Sequence, residues 1–407
     1  MLIQLRRTTS AVLLAALIAA GCSSTETQPD WGRELPEGAP ALIPLGPDEP
    51  RPDFAADWRN KEKILAALQH SIEWTTKPSA PRFFPIEGVS HERALASLER
   101  FQQLLTTSAS AEDFAAELDS EFQIYKSAGW DGEGGGVLFT GYCTPILNGS
   151  KQRTEEYCYP LYALPPDLVK GKEGEILGQQ TASGLREYPD RRSIESDHLL
   201  DGKNLELVWL RDPLEAFIAH VNGSAFIRLK EGGMLRLGYA GKNGRPYTSL
   251  RKELVADAQL DPDHANLQTI RDWAAAHPSE LQDYLDRNES YVFFTPIEGN
   301  PRGSLNVEVS GERSLATDKA LFPRGAVCFV DTRVGSGSGK SFRQFMFDQD
   351  TGGAIRTAGR ADIYLGSGAA AERLAGTTEQ QGQLYYLFLK DSVGYAQQPV
   401  AGGHEYE

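Results

Sequence analysis

The sequence predicts a mainly β protein with α additions: a small β-barrel preceded by helices. Three observations predict it. From Phe54 to about Ser127 apolar residues recur at three- and four-residue steps, the period of a helix. At Val137 that period gives way to short strand-like runs. In the last third such runs follow one another, punctuated by Gly and Pro and mostly without helices between them, the pattern of a small barrel.

The totals bound the rest. A chain of 407 residues holds two domains as a first expectation. Lys and Arg number 41 against 56 Asp and Glu, a formal charge of -15, and no basic run occurs, which excludes a nucleic-acid partner. A hydrophobic content of 40% and a charged content of 24% are those of an ordinary globular protein. The seven His are scattered, no Cys/His cluster has metal-ligand spacing, and no dinucleotide fingerprint stands in a strand–helix context, so no metal or cofactor is expected.

Residues 1–21 read as a signal segment. Arg6 and Arg7 precede the short apolar stretch Ala11–Ala20, too short to span a bilayer. Gly21-Cys22-Ser23-Ser24 then resembles a bacterial lipoprotein cleavage site, with Cys22 as the lipid attachment point, although Ala19 stands where Leu or Val is commoner. An ordinary signal peptide cut near Ala20 is the alternative. Ser23 beside the Cys points, by resemblance to sorting rules, to the periplasmic face of the outer membrane. Residues 22–53, rich in Pro, Gly and acids, read as a tether. Export makes a Cys143–Cys158 disulfide plausible, flanking a turn-like Asn148-Gly149-Ser150-Lys151, while Cys328 reads as a buried strand thiol.

Along the chain, Ile64, Leu65, Leu68 and Ile72 form one helical stripe. Leu95, Leu98, Phe101 and Leu104 form a second after Ser90, and Phe114, Leu118 and Phe122 a third after Ser110, two candidate N-caps. Val137–Pro145 and Tyr157–Leu164 read as strands, followed by an aperiodic polar segment to about Lys203. Leu207–Leu210 is a strand. Asp212-Pro213 starts a helix that Asn222-Gly223 breaks. Phe226–Leu229 and Met234–Ala240 form a hairpin across Lys230–Gly233. Gly241-Lys242-Asn243-Gly244 is a tight loop with one cation and no Walker spacing. Helices follow at Leu250–Ala256 and Leu267–Leu285. Strands are then expected at Tyr291–Phe294, Leu305–Val309, Ala326–Asp331, Arg343–Phe347 and Leu384–Leu389.

The chemistry concentrates in acidic residues at Gly-rich strand ends: Asp318, Asp350 and Asp362. Gly352 and Gly353 after Asp350 allow positive φ or close approach of a ligand. Ile363-Tyr364 after Asp362 suits a half-buried strand. Both aspartates also suit turn caps, the commoner use of Asp beside Gly. No Gly-x-Ser-x-Gly elbow supports a nucleophilic Ser. Carboxylates with aromatic neighbours, here Tyr142, Phe347 and Tyr364, suit general acid catalysis on a glycosidic oxygen.

An ordered set of segments carries a resemblance. Phe139–Pro145, Tyr159–Tyr162, Asp212-Pro213 with Val221–Ser224, Tyr239–Gly244, Tyr291–Phe294, Arg313–Asp318, Gln349–Ile355 and Ala361–Tyr364 together resemble the membrane-bound lytic transglycosylase A family. The C-terminal part is similar to its "3D" domain, named for three aspartates that match Asp318, Asp350 and Asp362. The resemblance implies a double-psi β-barrel with a second β-rich domain inserted. Its boundaries are 54–163 for the helices and first barrel part, 164–288 for the insert, and 289–400 for the second barrel part. It implies cleavage of the MurNAc–GlcNAc β-1,4 bond of peptidoglycan without water, leaving 1,6-anhydro-MurNAc ends. Asp362 is then the catalytic acid/base with Asp350 in support. Gly141, Tyr142, Thr144, Asn222, Ser224, Asp318, Gly352 and Gly353 are the substrate-binding candidates. Partners are glycan strands and the membrane through Cys22, with a monomeric chain. Cys143, Asn222, Ala225 and Glu312 depart from the family pattern, and the Asp350–Asp362 loop is one residue longer.

One carboxyl group serves twice in such chemistry. As the acid it protonates the leaving oxygen; as the base it takes the C6 hydroxyl proton while that oxygen attacks C1. Asp362 must therefore hold its proton near neutral pH, through burial or through Asp350 as a nearby anion. Two other functions fit the same residues: a glycan hydrolase using Asp350 and Asp362 as a pair, and a non-catalytic glycan-binding barrel.

Overall fold

The computed structural model describes residues 29–171 and 175–391. Cys22, the signal segment and the last residues of the expected third segment lie outside the described residues. Strand β1 (Leu42–Pro44) is followed by a 3-10 turn at Phe54–Asn60 and helices α1 (Lys61–Thr75), α2 (His91–Thr107) and α3 (Ala111–Glu121). Ser90 and Ser110 cap α2 and α3 by accepting from the Arg93 and Asp113 amides, as their spacing predicts. Helix α3 stops at Glu121, and Phe122–Ser127 is strand β2, not more helix. Phe122 continues the apolar spacing of Leu118, and its ring enters the same cluster whichever backbone carries it. Strand β1 corrects the tether: Leu42–Pro44 pairs antiparallel with β2, and Ala41 is fully buried.

After β3 (Val137–Thr144) the chain leaves the barrel at Pro145. The insert contains β4 (Ile146–Ser150), β5 (Tyr159–Tyr162), a small sheet of β6 (Leu168–Lys170), β7 (Ile176–Thr181) and β8 (Gly184–Arg186), then α4 (Arg191–Glu195) and β9 (Glu206–Leu210). It continues through α5 (Pro213–Asn222), β10 (Ala225–Leu229), β11 (Met234–Lys242), α6 (Leu250–Ala256), α7 (Leu267–Ala276), α8 (Leu281–Asp286) and β12 (Val292–Pro296). Its main sheet runs β12-β11-β10-β4-β9-β5, and a parallel bridge from Ala163 to Phe294 nearly closes it. The insert therefore begins at about residue 146 and ends at about 297, because β4, β5 and β12 pair inside it. The boundaries expected at 163/164 and 288/289 move accordingly. Asn148–Ser150 lies within β4, not in a turn. The expected Leu267–Leu285 helix is two helices, parted at His277-Pro278, since proline removes a helical donor.

The chain then returns through β13 (Ser314–Ala316), β14 (Val327–Val334), β15 (Lys340–Asp350), β16 (Arg360–Ser367), α9 (Ala369–Ala375) and β17 (Glu379–Leu389). Strands β17-β14-β15-β13-β16-β3 form a ring that the β17–β3 pairing closes, with β2 and β1 added along β17. Two neighbouring pairs, β13–β15 and β16–β3, are parallel and the others antiparallel. Leu305–Val309 is not a strand. Leu305 and Val307 are buried against Trp74 around a turn with Asn306 at φ 54°, so their alternation records burial without pairing.

Apolar residues line the barrel interior, among them Val137, Phe139, Met346, Ile363 and Leu365, around one buried carboxylate, Asp348, held by Lys319 and the Tyr386 hydroxyl. The helices cover one outer face, where Phe101 and Phe114 pack edge-on against Phe345. Buried polar contacts fix this layer. Arg313 donates through Nη2 to Asp57 at 3.0 Å, and the Phe345 amide donates to Asp57 at 2.8 Å. Gln349 accepts from Ser314 at 2.6 Å and donates to the Ala67 carbonyl at 2.8 Å, joining β15 to α1.

Candidate active site

The two key aspartates meet through the shortest barrel strand. Ala316 of β13 is paired with Asp362 of β16 on one side and with Asp350 of β15 on the other. Three residues of strand thus set both carboxyls at one level. On β16 the alternation of a strand sends Ala361, Ile363 and Leu365 to the barrel core and Asp362 and Tyr364 the other way. On β3, Thr140 stands opposite Asp362 and Tyr142 opposite Tyr364.

Asp362 is partly buried, and its Oδ1 is out of contact with solvent without any hydrogen-bond partner. Its pKa is pushed up to about 7. Burial is the main cause. The Arg360 guanidinium and the Thr140 hydroxyl oppose it, and the charge of Asp350 adds the smallest upward push. Burial, more than the neighbouring anion, holds the proton.

Asp350 is bound on both oxygens. Tyr142 donates to Oδ2 at 2.7 Å; the Ser304 and Thr351 amides donate to Oδ1 at 2.8 Å. Burial raises its pKa against those bonds. The Tyr142 ring packs on Tyr364, centroids 5.1 Å apart.

The other expected residues fall into distinct places. Asp318 is a turn cap: it accepts from the Ala320 amide at 3.0 Å and from the Thr357 amide at 3.2 Å, holding the Asp350–Asp362 loop. Thr144 is fully buried, and its hydroxyl is shared with Tyr364 at 2.8 Å and Ser224 at 3.1 Å. Asn222 accepts from the Cys143 amide at 3.1 Å, after which Gly223 turns the chain at φ 69°. Thr144, Ser224 and Asn222 thus join insert to barrel. A Cβ on Gly141 would lie 2.5 Å from Leu365 Cδ1, so packing against β16 and α9 requires this glycine. Gly352 and Gly353 do not adopt positive φ; in that loop Thr357 does, at 75°. Open space beside Gly353 still leaves room for a ligand.

Cys143, Cys158 and Cys328 are free. Cys143 faces the barrel core, and Cys158 lines a hollow of about 300 Å³ in the insert beside Tyr159 and Trp209, so the expected disulfide is not formed. That hollow holds none of the expected site residues.

The two bodies touch along seams. Besides the α5–β3 contacts, Arg271 of α7 pairs with Glu372 of α9 and Arg251 of α6 with Glu379 of β17. Tyr247 of the insert lies within electrostatic reach of Asp362. Tyr239 and Tyr247 are 47% and 37% exposed. Tyr247 belongs to no pattern in the sequence; only the fold brings it to the aspartate. Among the described residues no group of His, Cys, Asp and Glu could hold a metal.

Comparison with known proteins decides what this barrel is. The MltA specific insert domain family matches residues 138–295, and the 3D domain family residues 313–388. Membrane-bound lytic murein transglycosylase A of Escherichia coli K12 is 32% identical over 276 residues, 65% of this chain and 70% of the relative. The chain belongs to the membrane-bound lytic murein transglycosylase A family. The Vibrio cholerae relative is 29% identical over 63% of this chain and 67% of its own length. The crystal structure of a membrane-bound lytic murein transglycosylase from Agrobacterium tumefaciens superposes at TM-score 0.69, with 26% identity over 86% of this chain and 98% of that one. Escherichia coli MltA with bound chitohexaose shares the fold at TM-score 0.66, with 24% identity over 89% of this chain and 97% of that one. This family member is a peptidoglycan lytic transglycosylase, a lyase, of the membrane-associated cell envelope. No helix among its described residues is long and apolar enough to cross a membrane.

Proposed function

We propose that Asp362 is the lone acid/base of this transglycosylase, cutting the MurNAc–GlcNAc β-1,4 bond and leaving 1,6-anhydro-MurNAc ends. The observation that carries this reading is a half-buried carboxyl, one oxygen of which is out of solvent without a hydrogen-bond partner, whose pKa is pushed up to about 7. Near neutral pH such a group is populated both as acid and as base. Asp362 protonates the glycosidic oxygen as the C1–O bond breaks; its carboxylate then accepts the C6 hydroxyl proton as O6 closes on C1. Stabilisation of the transient carboxylate falls to Arg360, two residues along the same strand face.

Asp350 serves as a positioning carboxylate. Two amides and the Tyr142 hydroxyl occupy it, which leaves it poorly placed to hold an attacking water. That favours the single-carboxylate reaction over a hydrolase pair. Tyr239 and Tyr247 offer aromatic faces for sugar rings. Lipid attachment at Cys22 and a place on the periplasmic face of the outer membrane complete the reading. Mass spectrometry of murein digested by the wild type and by Asp362→Asn tests it. Anhydro ends from the wild type and no cleavage by the variant are expected. Reducing ends, or cleavage by a folded variant, would overturn it.

A further inference from the structure

The hollow in the insert holds neither of the two key aspartates, yet it has the makings of a site. Its volume is about 300 Å³, the lower end of what small-ligand pockets need. Strands β5 and β9 build its apolar side, where Pro160 stands opposite Trp209 in register, and Pro213 and Ala216 at the start of α5 continue it.

Arg153, Glu195 and Asp201 bring charge to the hollow. Glu195 is spent: Arg191 donates to its Oε1 at 2.7 Å and Gln282 to its Oε2 at 3.2 Å. The other two are not. The exposed Arg153 guanidinium rests on the Trp209 ring, 5.4 Å from its centroid. No carboxylate among the described residues lies within 4.0 Å of it. A guanidinium stacked by its face keeps its N–H groups free at the edge, ready for a carboxylate. Asp201 accepts from the Tyr162 hydroxyl at 3.2 Å through Oδ1. Its Oδ2 faces only His198 Nδ1 at 3.6 Å, too far for a hydrogen bond, and its side chain is 43% exposed.

One hollow therefore offers a cation with idle donors, a carboxylate with an idle oxygen and an aromatic wall. A neutral sugar would meet the wall and leave both charges without an opposite partner. A simple anion or cation would satisfy one charge and ignore the wall. We infer that the hollow binds an α-amino acid group: its carboxylate on Arg153, its ammonium on Asp201 and an apolar side chain against Trp209 and Pro160. Both polar contacts are charge-assisted. The group has two sources, a free amino acid or one borne by the peptides of murein; the second rests on the glycan-cleaving reading above.

Calorimetry on the whole protein tests this with leucine, leucinamide, which lacks the carboxylate, and N-acetylleucine, which lacks the ammonium. Leucine should bind with Kd below about 1 mM, and each blocked form about tenfold more weakly, the loss of one charge-assisted contact. Arg153→Gln should weaken leucine about tenfold and leave leucinamide unchanged; Asp201→Asn should weaken leucine likewise and leave N-acetylleucine unchanged. Both variants should cleave peptide-stripped murein at the wild-type rate. No binding of leucine, equal binding of all three compounds, or displacement of leucine by chitohexaose or by stripped murein fragments overturns the site. Displacement by soluble peptide-bearing fragments alone assigns the amino acid to the peptide; displacement by no fragment assigns it to the free amino acid. Wild-type digests without anhydro ends would instead overturn the cleavage reading, on which leucine binding does not depend.

Discussion

At the scale of the residue, the proposed role of Asp362 ties rate and stability to one proton. Its pKa of about 7 lies above the unfolded carboxyl value of about 3.9. Ionisation therefore costs folding free energy, a cost absent below pH 4 and complete above pH 7. Asp362→Asn should lose all cleavage and, at pH 8, melt higher than the wild type by on the order of 1–3 kcal/mol, with the gap closing by pH 4. Thermal melts at both pH values check it. The general-acid limb of the pH–rate profile should fall near pH 7. Because burial outweighs the Asp350 charge, Asp350→Asn should move that limb by less than about half a unit while lowering kcat. A shift of a full unit would show that the second carboxylate, not burial, sets the proton. Asp350 and Asp362 were legible as acids beside strand ends. That one is saturated with donors and the other has a bare oxygen was not, because Ser304 and Tyr142, which settle it, are distant in sequence.

At the scale of the element, short pieces set the geometry. The three residues of β13 were missed because so brief a run has no period. The stripes of α1 to α3, the Asp212 cap of α5 and the β10–β11 turn were all readable, since each depends on local spacing and local hydrogen bonds. What misled was apolar spacing continuing through a change of backbone, as at Phe122, or recording burial without a ladder, as at Leu305–Val309. Glycine at 141 is required by the β3–β16–α9 contact. Gly141→Ala places a methyl 2.5 Å from Leu365 and 3.0 Å from Ala375, so it should destabilise by about 1–3 kcal/mol in denaturant titrations. A neutral result would mean that β16 and α9 can shift apart freely.

At the scale of the whole molecule, two bodies and a helical layer are joined by a few buried polar contacts. Asp57, 1% exposed, is the partner of Arg313 and the acceptor for the Phe345 amide. Asp57→Ala strands a buried guanidinium and should lower unfolding free energy by about 3–5 kcal/mol. An equilibrium denaturation midpoint unchanged from wild type would contradict this. The order of barrel, insert and barrel was legible from the resemblance, but the exact seams were not. Strands β4, β5 and β12 look alike in sequence whether they pair within the barrel or the insert, and only the pairing partners decide.

The segment before β1 also touches the loop that leads to Asp362. Thr357, strained at φ 75° in the loop that leads to Asp362, donates its hydroxyl to the Trp31 carbonyl at 2.9 Å, and Trp31 packs edge-on against Trp130. With the proposed lipid on Cys22, only eight residues stand between it and Trp31. Fully stretched they reach about 30 Å. The enzyme would then work on a short leash, trimming only those strands of the sacculus that pass close to the membrane holding it.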